Sequence, residues 1–179
     1  MYRDNSLIPS EAARLAALGM LAERSRPYAE LASDVRGFTS RFVGPSLDMV
    51  GTPLELLRYE GLIAAEDGAE SQEAAVLRIT DAGLAALKDL LRSTVRAPVD
   101  HVGRLVIALK LRFLYRLDRE EQVEQIDLLI DLTETEVARL RDLKDSHDGE
   151  PGLLTPWLER ETGHAEDRLA WLQETRARV

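Results

Sequence analysis

The stretch that decides the fold of this chain reads YEGLI at residues 59–63 and, after a polar segment, LRITDAGLAAL at residues 77–87. Apolar residues on either side of the polar run at 66–73 predict a strand, a turn and a second strand, which together form a wing. Thr80 then offers a capping hydroxyl for a helix whose leucines recur at helical spacing up to Leu91. The pattern therefore predicts a small β-element inside a largely helical protein.

Two helices are predicted near the start of the chain. Ser10 is a capping residue for the first, whose apolar residues recur three and four positions apart up to Leu21. A second helix follows the break at residues 25–27 and carries its apolar residues at the same spacing as far as Val35. Gly37 predicts the end of this second helix.

A third helix is predicted directly before the wing. Residues 38–51 contain glycines and a proline among apolar residues, which indicates a turn with at most one irregular helical turn. Thr52 then supplies a capping hydroxyl, and Pro53 suits the first position of a helix. This third helix is predicted to end at Gly61.

The second half of the chain is predicted to be almost entirely helical. Pro98 interrupts the pattern, and helices follow at about residues 100–117, 119–144 and 153–178. Asp118 caps the middle one, and a loop joins it to the last. The fold class is therefore mostly α with a small β wing (α+β): an N-terminal winged helix-turn-helix domain at residues 1–97 and a long-helix C-terminal dimerisation domain at residues 98–179.

The helix at residues 100–117 is apolar on two faces, so it requires burial on more than one side. We expect it to dimerise the chain together with the last helix. The residues predicted to carry this contact are Leu105, Leu109, Phe113, Leu158, Leu169 and Leu172.

The last helix also carries an aromatic row. Trp157, His164 and Trp171 are seven residues apart and therefore share one edge of the helix. Aromatic rings with one polar group suit a small planar ligand, so the row is a possible ligand pocket at the dimer interface. The alternative is that the row belongs to the core, as aromatic residues on long helices usually do, with Trp171 the most buried because Leu169 and Leu172 flank it.

Composition limits the class of protein. The chain has 179 residues, 45% hydrophobic and 31% charged, which suits two small packed domains. It has no cysteine, so disulfides and thiolate chemistry are excluded. The N-terminus lacks the apolar segment of a signal peptide, and basic residues interrupt the longest apolar stretch, at residues 102–117. We expect a cytoplasmic protein that does not enter the membrane.

The charge of the chain disfavours indiscriminate binding to nucleic acid. The net charge is -9 and the isoelectric point is about 4.9, which gives a field that repels phosphate. Residues 1–95 contain 10 basic and 14 acidic residues, and in the wing Glu66, Asp67, Glu70 and Glu73 outnumber Arg78. Any contact with DNA must therefore come from a local surface.

No motif points to an enzyme, a cofactor or a metal. The sequence has no phosphate-binding loop, dinucleotide fingerprint or nucleophile elbow. The three histidines, His101, His147 and His164, are too dispersed to form a metal site by themselves. We therefore predict no catalytic residues, no metal and no cofactor.

The sequence resembles the PadR family of transcription regulators. The resemblance rests on YEGLI and LRITDAGLAAL, on LKLRFLYRLDREEQVEQIDLLID at residues 109–131, and on EDRLAWLQE at residues 166–174. It spans almost the whole chain. The first two motifs occur in many winged-helix families, and the helical half narrows the choice to this one.

The resemblance implies a homodimer that binds operator DNA as a repressor, with a small-molecule effector that adjusts its affinity. The DNA-binding residues that we expect on this basis are Arg36, Arg41, Ser46, Met49, Thr52 and Arg78. Where the family's recognition helix typically has a threonine and a tyrosine, this chain has Met49 and Gly51. Together with Pro53, Gly51 predicts that the recognition helix is shortened or kinked.

A second hypothesis comes from another functional class. A winged-helix dimer that has lost DNA binding would act as a protein-interaction module, through the acidic wing or the apolar residues at 42–50. Binding to DNA that weakens with salt separates the two hypotheses, because only phosphate contacts release counterions.

Overall fold

The computed structural model describes residues 6–44, 51–66 and 75–179, and the chain folds as two compact units, Met1–Leu117 and Asp118–Val179. The described residues form seven α-helices and three strands: α1 (Pro9–Glu23), β1 (Arg26–Pro27), α2 (Tyr28–Val43), α3 (Gly51–Tyr59), β2 (Ile63–Ala65), β3 (Val76–Ile79), α4 (Asp81–Leu91), α5 (His101–Phe113), α6 (Arg119–Ser146) and α7 (Leu154–Arg178). None of the described helices is long and apolar enough to span a membrane.

The first unit has the topology of a winged helix. A helix, a short strand, two helices and a β-hairpin follow one another, and the three strands form an antiparallel sheet in the order β1-β3-β2. The predicted fold class, mostly α with a small β wing, is confirmed. Strand β1 was not predicted, because it is only two residues long and contains Pro27, which lacks an amide hydrogen and so suits an edge strand.

Helix α1 is the centre of the first unit. It contacts α2, α3, α4, α5 and β3. From Ala12 to Leu21, Arg14 is the one residue that is not buried. A helix that is apolar almost all round must be surrounded by other elements, and this explains why the unit assembles around α1.

Two predicted helix starts are wrong by a small margin. Helix α1 begins at Pro9 rather than after Ser10, and its first turn is capped by Glu11, whose carboxylate accepts a hydrogen bond from the backbone of Ile8 at 2.9 Å. Helix α3 begins at Gly51, so Thr52 lies inside its first turn instead of capping it. In both cases the residue predicted to cap the helix lies one position inside its first turn, an error within the usual uncertainty of helix ends.

The predicted end of α2 at Gly37 is wrong, because the helix continues to Val43. Its buried residues, Leu31, Val35 and Thr39, are spaced four apart and keep one face on the core beyond the glycine. Glycine in a helix costs only about 1 kcal/mol relative to alanine, which tertiary packing outweighs.

The decisive stretch folds as a tight corner between the wing and α4. The Thr80 hydroxyl accepts a hydrogen bond from the Gly83 amide at 3.1 Å, which caps α4, and lies 2.8 Å from the carbonyl oxygen of Gly61, to which it donates. A Cβ at Gly83 would lie 2.0 Å from the carbonyl oxygen of Leu62. The segments YEGLI and TDAG therefore pack against each other. Gly83, which has no Cβ, leaves room for the backbone of Leu62.

Helix α5 packs within the first unit. Leu105, Leu109 and Phe113 are fully buried, and a Cβ at Gly19 of α1 would lie 2.3 Å from the Phe113 ring. Arg112 pairs with Glu23 at the end of α1 at 3.1 Å. The first compact unit therefore ends after Leu117.

The boundary near Pro98 was predicted on functional grounds, as the point where a DNA-binding half is followed by a dimerising half. That functional boundary stays a prediction.

The second unit is an antiparallel pair of long helices. Asp118 caps α6 as predicted, since its carboxylate accepts from the Glu121 amide at 3.0 Å and Glu121 accepts from the Asp118 amide at 3.2 Å. Four ion pairs connect α6 to α7: Asp127–Arg176, Glu136–Arg168, Arg141–Glu166 and Lys144–Glu159. Their numbers rise on one helix as they fall on the other, which gives the antiparallel direction.

Candidate nucleic-acid interface

The predicted DNA contacts that the structure describes are exposed arginines on two elements of the first unit. Arg36 and Arg41 lie on α2, and Arg78 lies on β3. The Arg41 guanidinium donates to the carbonyl oxygen of Gly37 at 2.7 Å, one turn earlier in its own helix. These three side chains are open to solvent, as contact with phosphate requires.

The remaining predicted contacts fall partly or wholly outside the described residues. Ser46 and Met49 lie outside them. Two of the acidic wing residues, Glu70 and Glu73, also lie outside the described residues. The backbone of Thr52 belongs to the first turn of α3, and its side chain lies outside the described part of the chain.

Helix α3 has a buried face and an open face. Leu54 and Leu57 are buried, whereas Arg58 is exposed beside Tyr59, which is 91% exposed. Arg58 was not among the predicted contacts, although its position on the third helix of a winged helix was a sufficient signal. Leu56 is also 45% exposed, so the open face of α3 presents apolar as well as charged groups.

Two further arginines of the first unit, Arg24 and Arg26, have structural partners. Arg26 is buried; its guanidinium donates to Asp34 at 2.7 Å and to the carbonyl oxygen of Met20 at 3.0 Å. Arg24 is exposed but pairs with Glu30. A buried guanidinium at the carbonyl end of a helix is stabilised by the helix dipole, so Arg26 joins α1 to α2 rather than facing DNA.

The first unit has no net charge, but it carries exposed basic side chains that form no ion pair among the described residues. Its 117 residues contain 15 basic and 15 acidic residues, whereas the second unit contains 8 and 17, so the whole net charge of -9 resides in the second unit. Six exposed cations of the first unit have no carboxylate in ion-pair distance among the described residues: Arg36, Arg41, Arg58, Arg78, Lys88 and Arg104. These six lie on α2, α3, β3, α4 and α5, and we refer to the set as the candidate interface.

The residues predicted to carry the dimer contact are mostly internal. Leu105, Leu109 and Phe113 lie in the core of the first unit, and Leu158 and Leu172 are buried in the second, while Leu169 is half-buried. This placement corrects the expectation in one respect: the five buried side chains have no surface to offer a partner in the folded chain. The contact itself stays a prediction.

The aromatic row of α7 is exposed. Trp157 is 54% and Trp171 47% exposed, and His164 is exposed between them. The prediction that the row is core, with Trp171 buried, is wrong within one chain, because α7 buries a different stripe through Leu158, Ala165 and Leu172. None of the three lines either of the two crevices described next.

Two open crevices lie instead beside the N-terminal segment of the first unit, and no sequence pattern indicated them. One of about 560 Å³ lies between α1, α3 and α4, and its wall includes Arg14 and Leu56. The other, of about 430 Å³, lies between residues 6–9 and the start of α5. Among the described residues no group of three or more histidine, aspartate or glutamate side chains is arranged to hold a metal ion.

A family model of AphA-like transcriptional regulators matches residues 2–176 of the chain. The chain belongs to this family. The match covers both units, so the winged helix and the helical hairpin are parts of one regulator type. The match confirms the prediction of a transcription regulator, because the family is one of regulators and not of enzymes.

Solved structures similar to this AphA-like chain come from Bacillus subtilis PadR. The complex with p-coumaric acid is 17% identical and covers 96% of this chain and 97% of PadR, with a TM-score of 0.41. The complex with operator DNA is 17% identical and covers 92% and 97%, with a TM-score of 0.36. A search of curated proteins found no match.

Proposed function

We propose that this AphA-like regulator binds operator DNA as a homodimer and represses transcription, and that a small molecule adjusts its affinity. The single observation that carries the DNA-binding part is the set of six exposed cations on a winged-helix unit, none paired with a carboxylate among the described residues. Such cations are free to neutralise phosphate, and the excess of acidic residues belongs to the other unit.

The distribution of charge supports a restricted contact. A net charge of -9 on the second unit repels DNA at distance, while the first unit, at zero, carries local positive groups. Few phosphates are then neutralised by each protomer, and the complex requires two protomers to gain a useful affinity.

Dimerisation is supported by the open surface of the second unit. Two packed helices bury one stripe each and leave other apolar side chains in solvent: Leu128, Leu143, Leu154, Trp157 and Trp171. Large exposed aromatics are the residues that most often anchor protein interfaces. A second copy of the same hairpin would cover them symmetrically.

The aromatic row of α7 supports effector binding in a dimer. Trp157, His164 and Trp171 lie on one open edge of α7, so they would line a pocket only if a partner protomer closed it. The p-coumaric acid bound to Bacillus subtilis PadR is a suitable first probe, added to the preformed protein–DNA complex.

The test of DNA binding is a titration of the full-length protein with a labelled fragment of its own promoter region over a range of salt. The logarithm of the affinity should fall with the logarithm of salt by about 0.9 for each phosphate contact. Arg36→Ala, Arg41→Ala and Arg78→Ala should each weaken binding to specific and scrambled fragments alike and reduce the slope by about one per protomer.

A matched control removes a positive charge from the second unit. Arg160 of α7 is exposed and pairs with no carboxylate among the described residues, so Arg160→Ala changes the net charge equally without touching the candidate interface. Equal losses for Arg160→Ala and Arg36→Ala would overturn the assignment of the interface to the first unit.

A second function, a protein-interaction module, is supported by the open face of α3. Leu56 and Tyr59 are exposed there, and large exposed apolar side chains are typical of a surface that binds another protein. If the native protein fails to bind its promoter fragment even at about 50 mM salt, where phosphate contacts are strongest, the interaction module replaces the operator-binding regulator.

A further inference from the structure

Arg14 and Glu60 join the central helix of the first unit to the end of α3. One nitrogen of the Arg14 guanidinium donates to Oε1 of Glu60 at 2.9 Å, and a second donates to Oε2. The two side chains are 46 positions apart in the sequence, so the contact is tertiary. A bidentate pair of this kind fixes direction as well as distance.

The electrostatics of the pair agree with this geometry. The hydrogen bond from Arg14 lowers the pKa of the Glu60 carboxyl, and the same bond raises the pKa of the Arg14 guanidinium. Both groups are therefore held in their charged forms by each other.

Arg14 is a rigid anchor. It is the one residue from Ala12 to Leu21 that is not buried, and its neighbours on α1 are packed against five other elements. Its backbone belongs to the packed central helix of the unit, and Glu60 is tied to that helix through it.

Glu60 is not explained by the local stability of α3. It directly follows Tyr59, the last residue of the helix, and its amide donates to the carbonyl oxygen of Leu56 at 2.8 Å. A carboxylate at this end of a helix is disfavoured by the helix dipole. The position thus carries a local cost that its contact with Arg14 offsets.

Among the described side chains of α3, the buried ones lie on one face. Leu54 and Leu57 anchor its buried face, and both are hydrophobic contacts without direction. Among the described pairs of side chains, Arg14–Glu60 is the directional one that resists rotation of α3 about its own axis.

We propose that Arg14 and Glu60 are positioning residues that set the orientation of α3, and hence of the open face on which Arg58 and Tyr59 lie. The inference rests on the proposed function for its meaning in DNA recognition, but the positioning itself is a property of the unbound protein. The energy of a partly exposed bidentate pair limits the effect to about a five-fold change.

The first test is hydrogen exchange of the full-length protein without DNA. Glu60→Gln should raise the exchange of α3 amides about two- to five-fold and leave those of α4 unchanged. If Glu60 were only a surface residue, the same change would slow exchange in α3, because it removes a charge that the helix dipole disfavours. Slower or unchanged exchange therefore overturns the proposal.

The control variants use the same helix and the same contact. Glu55→Gln changes an exposed glutamate of α3 that has no ion pair among the described residues, so it should not reproduce the effect. Arg14→Gln by itself should raise the exchange of α3 amides as Glu60→Gln does, and it should add nothing in the Glu60→Gln background. Arg14→Lys, which keeps the positive charge, should raise the exchange less than Arg14→Gln. Additive effects of the two single changes contradict a shared role.

The second test compares DNA sequences. Glu60→Gln should lower the ratio of affinities for the promoter fragment and a scrambled fragment by up to about five-fold, without changing the salt slope. An unchanged ratio in a protein that binds DNA overturns the role in recognition. A native protein that binds no DNA removes the proposed function, and the exchange experiment still decides the positioning role.

Discussion

At the scale of single residues, the structure explains why each of the two decisive motifs contains a glycine. Gly61 has a φ of 72°, a conformation that side chains with a Cβ rarely adopt, and it ends α3. Gly83 has an ordinary helical conformation but no room, because the carbonyl of Leu62 occupies the space of a Cβ. The same residue type is thus required once by backbone torsion and once by packing.

Gly83→Ala should destabilise the first unit by about 1 to 3 kcal/mol, the usual range for an inserted methyl group that forces backbone to move. Gly163→Ala, on α7, is the control, since no atom beyond its own stretch of helix lies within 4 Å of its Cβ position. That change should stabilise the chain by about 0.5 to 1 kcal/mol through helix propensity. Urea unfolding of both variants measures the difference, and a Gly83→Ala protein as stable as the native one would contradict the packing argument.

Lys110 is a buried cation that closes the end of another helix. Its ammonium donates to the carbonyl oxygen of Leu91, the last residue of α4, and to that of Ser93 at 2.6 Å. Burial lowers the pKa of Lys110 from 10.5 to about 8. In the sequence, Lys110 is one of the basic residues that interrupt an apolar stretch, and its contact with the end of α4 is created by the fold.

The stability of the chain should therefore depend on pH through Lys110. Between about pH 8 and 10.5 the unfolded lysine binds a proton that the folded one does not, so the free energy of unfolding gained from this group rises with pH. The free energy of unfolding of the native protein, relative to that of Lys110→Met, should rise by on the order of 3 kcal/mol between these two pH values. Denaturant unfolding at several pH values measures the trend, with Lys88→Met controlling for the loss of one exposed positive charge, and a difference independent of pH would refute it.

At the scale of elements, α5 shows why a break in the pattern does not mark a boundary in space. Pro98 interrupts the helices, but α5 returns to pack on α1 through Leu105, Leu109 and Phe113. Lys110 and Arg112 add polar contacts to the ends of α4 and α1. The winged helix of this chain thus includes one helix more than the sequence pattern indicated.

A chain that ends at Leu117 should fold cooperatively, whereas one that ends at Ala97 should not. The shorter chain loses three fully buried side chains, each worth about 2 to 5 kcal/mol, against a total stability of about 5 to 15 kcal/mol for a typical domain. Circular dichroism during thermal unfolding distinguishes the two. A cooperative transition for the shorter chain would show that α5 is dispensable to the first unit.

At the scale of the whole molecule, the net charge is divided unevenly between the two units, and both exposed tryptophans lie in the second. The first unit is neutral with open cations, and the second is acidic with open tryptophans. This division matches the proposed tasks, since phosphate contact requires positive groups and dimerisation requires apolar surface.

Replacing Trp157 and Trp171 together by serine should weaken dimerisation without unfolding the hairpin. Both are half-exposed in one chain, so their loss costs little within it, while an interface anchor contributes about 2 kcal/mol or more, or about a thirty-fold change in Kd. Sedimentation over a concentration series measures the change. Tyr115→Ser, which alters an exposed aromatic of the first unit, is the control, and an equal effect of both would place the dimer contact elsewhere.

Much of the local structure followed from the sequence by itself. Capping at Thr80 and Asp118, the two strands of the wing and the loop before α7 are decided by neighbouring residues, so short-range patterns predict them. The regulator family also followed, because its motifs are local. Even the errors at Ser10 and Thr52 were errors of one or two positions.

Only the tertiary structure decided which surfaces are buried and which are open. Helical spacing places Trp157 and Trp171 on one edge of α7, but it cannot tell whether another element covers that edge, and in one chain none does. Arg26 is an arginine whose sequence context does not mark it as buried, yet it is buried because Asp34 of α2 and the end of α1 enclose it. Arg14 and Glu60 meet across 46 residues, a distance over which no periodicity carries information. Burial and long-range pairing depend on the sum of all packing contacts, and for that reason they become visible only in the folded chain.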